Sequence, residues 1–220
     1  MLFKAIEKMK ISIVGTGMIA TEVIKTLRTE AKGIEITSLF THSNKEKAQA
    51  LAKANHIERI YTDYAQLLRE DGADFVYIAV INSVHYAFVH EALEADRNVI
   101  VEKPFTMTVA EAEELAAMAL ERKLYLFEAV SPLHTPNFRL VKENLGRIAP
   151  IHFVQCNYSQ YSSKYDRYLQ GDIAPAFDPL SGGGTLNDLN VYNINVVTAL
   201  FGPPAASRYF ANYGHNGIDT

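Results

Sequence analysis

The chain has 220 residues, enough for one large domain or two small ones with an ample core. Its composition, 48% apolar and 21% charged, is that of a soluble globular protein. A net charge of −4 without basic runs argues against nucleic acid as the main partner, and no apolar run is long enough to span a bilayer.

The first ten residues carry Lys4, Glu7, Lys8 and Lys10 and lack the apolar stretch of a signal peptide, so a reducing, cytoplasmic setting is expected. Because the first strand starts just after Met9, residues 1–8 read as an optional extension. The single cysteine, Cys156, cannot form an intrachain disulfide and reads as a small strand residue.

The stretch Ile11-Ser12-Ile13-Val14-Gly15-Thr16-Gly17-Met18-Ile19-Ala20 organises the rest. A buried strand runs into Gly15, and a helical pattern begins at about Met18 and continues to about Glu30. Gly15 permits the tight turn, Gly17 lets a pyrophosphate lie against the backbone, and Ala20 lets the helix pack close to the strand. The turn Gly15, Thr16, Gly17, Met18 and Ile19 is therefore the expected cradle for the phosphates of a dinucleotide, at the positive end of a helix.

Ile34 to Phe40 reads as the second strand, and Asn44 caps a helix to about Asn55. A short strand near Ile60 precedes a helix capped by Asp63. Asp74 to Ile81 is an almost continuous apolar run, as in a strand buried on both faces. Helix Ser83 to Ala95, strand Asn98 to Glu102, a helix Val109 to Arg122 with a Thr108/Glu111 capping box, and strand Leu124 to Phe127 follow. Strands alternating with helices at this spacing predict an α/β fold with a doubly wound parallel sheet. The rhythm then changes, dividing the chain into a dinucleotide-binding domain, residues 1–129, and a partial α+β domain, residues 130–220. Expected there are a helix from Thr135 to Leu145, a half-exposed strand from Ile148 to Tyr161, a polar and aromatic loop from Tyr161 to Pro179, a helix from Thr185 to Phe201 and a last strand from Ala206 to Tyr213.

Three segments can carry chemistry. Asn82 and His85 fall at the carboxyl edge of a central strand, where open α/β sheets bind ligands, although Asn82 or Ser83 also reads as a helix cap and His85 as a first-turn residue. Lys103 follows a buried strand in Glu102-Lys103-Pro104 and emerges on the same edge, where a plain surface charge is the competing reading. Asp188, Tyr192 and Asn195 recur at helical spacing behind Gly182-Gly183-Gly184, and a half-buried packing role is the default for Tyr192 alone. No metal is called for.

In this order, the GxGxxA turn, the Asn82–His85 segment, Glu102-Lys103-Pro104 and GGGTLNDLNVY resemble the glucose–fructose oxidoreductase/inositol dehydrogenase family over essentially the whole chain. The resemblance implies a Rossmann domain followed by an open, largely antiparallel sheet that covers the nicotinamide. It implies oxidation or reduction of a sugar, cyclitol or diol with NAD or NADP, and a homo-oligomer, dimer or tetramer. It carries Lys103, Asp188 and Tyr192 over as the catalytic group, with Asn82, His85, Glu102 and Lys103 beside the cofactor. Many relatives have histidine where Tyr192 stands; the tyrosine looks more like the dihydrodiol and aldose dehydrogenase branch.

The chain departs from the family at the end of the second strand, where an acid would hold the ribose hydroxyls of NAD. Here that place reads Phe40-Thr41-His42-Ser43-Asn44-Lys45, and Glu35 lies at the wrong end of the strand. With His42, Ser43 and Lys45 able to bind a 2′-phosphate, NADP is the expected cofactor over NAD. Family members also continue well past this length, so a C-terminally truncated chain is expected. The rival reading from another class is a cofactor-sensing regulator that binds the nucleotide and does no chemistry.

Overall fold

The computed structural model describes residues 8–220, so the expected extension lies outside the described residues apart from Lys8. By internal contacts the chain divides into two units, Met1–Glu128 and Ala129–Thr220.

In the first unit, β1 (Met9–Val14), β2 (Ile34–Phe40), β3 (Arg59–Tyr61), β4 (Phe75–Ile78), β5 (Asn98–Glu102) and β6 (Leu126–Ala129) form one sheet in the order β3-β2-β1-β4-β5-β6. The pairs β1/β2, β1/β4, β2/β3 and β4/β5 are parallel. Between them run α1 (Met18–Thr29), α2 (Lys45–Ala54), α3 (Tyr64–Glu70), α4 (His85–Glu94) and α5 (Val109–Arg122). The strand order reverses between β1 and β4, and a crevice for a ligand opens outside the carboxyl ends of the strands at such a point.

Helix starts follow local chemistry. Asn44 accepts the N–H of Lys47 at 3.0 Å and Asp63 that of Gln66 at 2.9 Å. Thr108 and Glu111 form the expected capping box at α5. Ile13, Val14, Leu39, Ile78 and Val101 are fully or almost fully buried in the sheet and Ile24, Val89 and Leu115 in its helices. Each such side chain is worth about 1.5–3 kcal/mol relative to exposure.

Several expectations need correction. Within the run from Asp74 to Ile81 the strand itself covers Phe75–Ile78, with Asp74 and Ala79 also donating their N–H groups to β1, and β6 starts two residues later than read. In the second unit α6 (Pro136–Asn144), α7 (Tyr165–Leu169) and α8 (Val191–Phe201) are present, but residues 148–161 form no strand. A strand needs a hydrogen-bonded neighbour, and among the described residues none pairs with this segment; Phe153 stays 78% exposed. Cys156 is correspondingly exposed rather than packed in a strand. The expected last strand reduces to one antiparallel bridge, Tyr213 with Asp219. The helix expected from Thr185 opens as a π turn, Leu186–Asn190, before α8 begins.

Candidate functional site

The turn between β1 and α1 separates the jobs of its two glycines. Gly15 has φ +120°, its N–H donates to the Phe40 carbonyl at 3.0 Å, and an added Cβ would run into the Ala79 carbonyl oxygen. Only glycine fits there, for reasons internal to the protein. Gly17 is the residue before α1, in an extended conformation (φ −68°, ψ −175°) open to any amino acid, and an added Cβ would meet nothing within 4 Å. The fold itself thus does not require glycine at 17; the open space suits a group from outside. No side chain caps the first turn of α1, and that turn holds no acid. Its N–H groups and the positive helix end are arranged for an anion. Met18 and Ile19 are exposed beside the turn, while Ala20 is fully buried against the sheet. A dinucleotide pyrophosphate therefore fits these residues.

At the end of β2, Thr41 is buried and its Oγ1 accepts the N–H of Asn44 at 3.3 Å, which turns the chain outward. His42, Ser43 and Lys45 are exposed on that turn, and no acid stands between Phe40 and Lys45. Glu35 pairs in register with Lys10 at the opposite, amino edge. A polar hollow of about 470 Å³ also lies at the amino edge, lined among others by Lys10, Arg28, Arg59 and buried Asp71, whose Oδ2 accepts the Thr37 and Ser38 hydroxyls. It is remote in the sheet from the glycine turn.

The ends of β4 and β5 are tied together. Asn82 begins a 3-10 turn, Asn82–Val84, without a side-chain cap. His85 is fully buried; its Nδ1 is 2.8 Å from the Pro104 carbonyl and its Nε2 3.2 Å from that of Val80. Burial pushes the imidazole below its ordinary pKa, against the opposing effect of these carbonyls. The ring is turned into the protein, against these two backbone carbonyls. Glu102 accepts the Tyr77 hydroxyl on Oε1 at 2.6 Å, and Lys103 follows it, half-buried. Tyr77 and Glu128 also stand at this edge, although the sequence reading did not single them out. Glu128 accepts the Phe105 N–H at 3.0 Å. Burial raises its pKa, as does the charge of Glu102, while the Phe105 N–H and Lys103 pull it down. The available signal was an acid at the carboxyl end of the last strand, the edge that carries Lys103.

In the second unit, the glycine run is consumed by the protein. A Cβ on Gly183 would lie 2.5 Å from the carbonyls of Pro175 and Ala176, and one on Gly184 would strike the Asp219 carboxylate. Asp219 Oδ2 accepts the N–H of Leu186 at 2.6 Å and the Tyr209 hydroxyl at 2.5 Å, capping the helix start from far along the chain. Asp188 lies in the π turn and Tyr192 in the first turn of α8, both half-buried. Tyr192 packs on Tyr158 with ring centres 5.1 Å apart. Asn195, expected on the same polar face, spends its amide on the Val191 carbonyl at 2.9 Å. Single-turn π segments occur often at functional sites.

Thus Gly15–Ile19, His42, Ser43, Asn82, Glu102 and Lys103 share the carboxyl edge of one sheet, and Asp188 and Tyr192 share one helix start. Residues 9–129 match the model of the oxidoreductase family with an NAD-binding Rossmann fold, GFO_IDH_MocA. The uncharacterized oxidoreductase YgjR of Escherichia coli strain K12 is 32% identical over 210 residues, which cover 96% of this chain and 63% of that protein. The scyllo-inositol 2-dehydrogenase (NADP(+)) IolU of Bacillus subtilis strain 168 is 29% identical over 214 residues, 96% of this chain and 65% of that protein. Scyllo-inositol dehydrogenase from Lactobacillus casei, solved with bound NAD(H) and scyllo-inositol, shares the fold at TM-score 0.78 and 18% identity, over 89% of this chain and 56% of that one. The chain spans less than two thirds of the length of these relatives. With the family model matched over more than half of its residues, and the glycine turn opening into the crevice of a β3-β2-β1-β4-β5-β6 sheet, this chain belongs to the GFO_IDH_MocA oxidoreductase family.

Proposed function

We propose that the protein is an NADP-preferring dehydrogenase of a sugar, cyclitol or diol, acting as a cytoplasmic homo-oligomer. The observation that carries the reading is Gly17, whose missing side chain leaves open space at an uncapped helix start on the sheet edge that also bears Lys103. The preference for NADP is supported by exposed His42, Ser43 and Lys45 with no acid among them at the end of β2. It is also in keeping with the NADP(+) cofactor in the name of IolU. The polyol class follows the scyllo-inositol named for both relatives. Exposed Phe153, Leu180 and Phe210 supply apolar surface for self-association.

When bound, the nicotinamide supplies the hydride acceptor for oxidation and the donor for reduction. The residues manage the proton. Tyr192 takes the hydroxyl proton as the carbinol carbon is oxidised and returns it in the reverse direction. A phenol with a pKa of about 10 is a poor base at neutral pH, and a nearby ammonium favours the phenolate. Lys103 is assigned to the substrate oxygen and Asp188 to a second hydroxyl. Asn82 and Glu102 border the cofactor, with His85 behind them.

The test follows nicotinamide absorbance with each cofactor against a panel of polyols, aldoses and vicinal diols. Turnover of at least one member is expected, and Lys103→Ala and Tyr192→Phe should each lower it by roughly a hundredfold, in line with general acid–base contributions. Cofactor binding without turnover of any panel member would favour a sensor instead, and near-normal turnover in Tyr192→Phe removes the phenol from the mechanism.

A further inference from the structure

The peptide that carries Lys103 is held on both sides by side chains the proposed chemistry does not use. Before it, Glu102 is tied to β4 by the Tyr77 hydroxyl at 2.6 Å. After it, the Pro104 carbonyl faces His85 Nδ1 at 2.8 Å, and the Phe105 N–H donates to Glu128 Oε1 at 3.0 Å. A neutral imidazole has one ring proton, and of the two carbonyls that its nitrogens face, that of Pro104 is the nearer. His85 belongs to α4, Tyr77 to β4 and Glu128 to β6, so three separate elements grip residues 102–105.

A partly buried carboxylate is an expensive way to satisfy one backbone N–H. Burial still raises the pKa of this acid overall, and the Phe105 N–H and the positive charge of Lys103 offset only part of that cost. Glu102 acts the other way.

We propose that Glu128 is a positioning residue for Lys103: by accepting the Phe105 N–H while His85 holds the Pro104 carbonyl, it fixes the backbone from which the ammonium projects. The proposal rests on the reading that Lys103 acts on the substrate oxygen. The hydrogen bond, not the negative charge, is the feature that matters. Glu128→Asp keeps the charge and loses reach, whereas Glu128→Gln keeps the reach and loses the charge.

Hydrogen exchange at the Phe105 amide and steady-state kinetics on the most active panel substrate test this together. In Glu128→Asp the Phe105 amide should exchange about fivefold faster or more, the scale of one lost hydrogen bond, and kcat should fall by a similar factor. KM and the affinity for NADPH should not move. Glu128→Gln should restore both Phe105 protection and kcat. Wild-type kcat in Glu128→Asp, in a protein where Lys103→Ala is impaired, overturns the proposal, as does a Glu128→Gln variant as damaged as Glu128→Asp. Failure of the catalytic reading shows separately, as undiminished turnover in Lys103→Ala, while Phe105 exchange still reports on the grip.

Discussion

The chain has two glycine-rich turns that lead into helices, Gly15–Gly17 before α1 and Gly182–Gly184 before the π turn, and they do opposite things. In the second, the space left by missing side chains is filled by the protein: the Pro175 and Ala176 carbonyls against Gly183, and Asp219 against Gly184. In the first, Gly15 is filled in the same way by Ala79, but Gly17 faces open space. A cluster of glycines therefore marks a close approach without saying what approaches. An unoccupied Cβ position shows that packing does not require the glycine, as also at Gly72 and Gly146; at Gly17 it coincides with an uncapped helix start at the carboxyl edge of the sheet.

The largest effect expected from this contrast is at Gly15. Gly15→Val combines a positive φ with a clash against backbone that has nowhere to go, and should cost on the order of 3 kcal/mol or more. Denaturant melting checks this; a variant within about 1 kcal/mol of the parent would mean the turn relaxes freely. A smaller loss is expected at Asp219, which closes the other turn. Asp219→Ala removes the acceptor for the Leu186 N–H and should cost about 1–2 kcal/mol, the range for a lost helix cap. It should also be visible by ultraviolet titration of Tyr209. Partial burial and the bond to Asp219 push that phenol up to about 12, and without the carboxylate it should ionise at lower pH. An unmoved phenol titration would disconnect Asp219 from Tyr209. The smallest effect on stability belongs to Gly17→Ala, expected to stay within about 1 kcal/mol of the parent, because backbone and space both admit a methyl group. A large loss there would place Gly17 with the packing glycines.

The same contrast explains what could be read from residues alone. The strand–turn–helix at Gly15, the caps at Asn44 and Asp63 and the Thr108/Glu111 box are local signals, decided within a few residues, and each forms in the structure. Partners far apart in sequence left no such trace. Asp219 caps a helix that starts more than thirty positions earlier, and Glu128 grips Phe105 across two strands. His85 was placed on the correct edge, but periodicity cannot say that its ring turns inward to two carbonyls. Alternation over Ile148–Tyr161 is necessary for a half-exposed strand and not sufficient, since the ladder needs a neighbour. The proposed roles of Lys103, Asp188 and Tyr192 follow from the family resemblance rather than from periodicity.

Gly17 is proposed to be glycine for the sake of a bound dinucleotide. The direct measurement is a fluorescence titration of NADPH and NADH into the parent chain and into Gly17→Val, with a melting curve of each protein alongside. The parent should bind NADPH more tightly than NADH. The valine variant should stay folded yet lose at least about tenfold in affinity for both, equivalent to roughly 1.4 kcal/mol, because a branched side chain would stand where the pyrophosphate lies. A folded Gly17→Val that binds both nucleotides as the parent does would contradict the account.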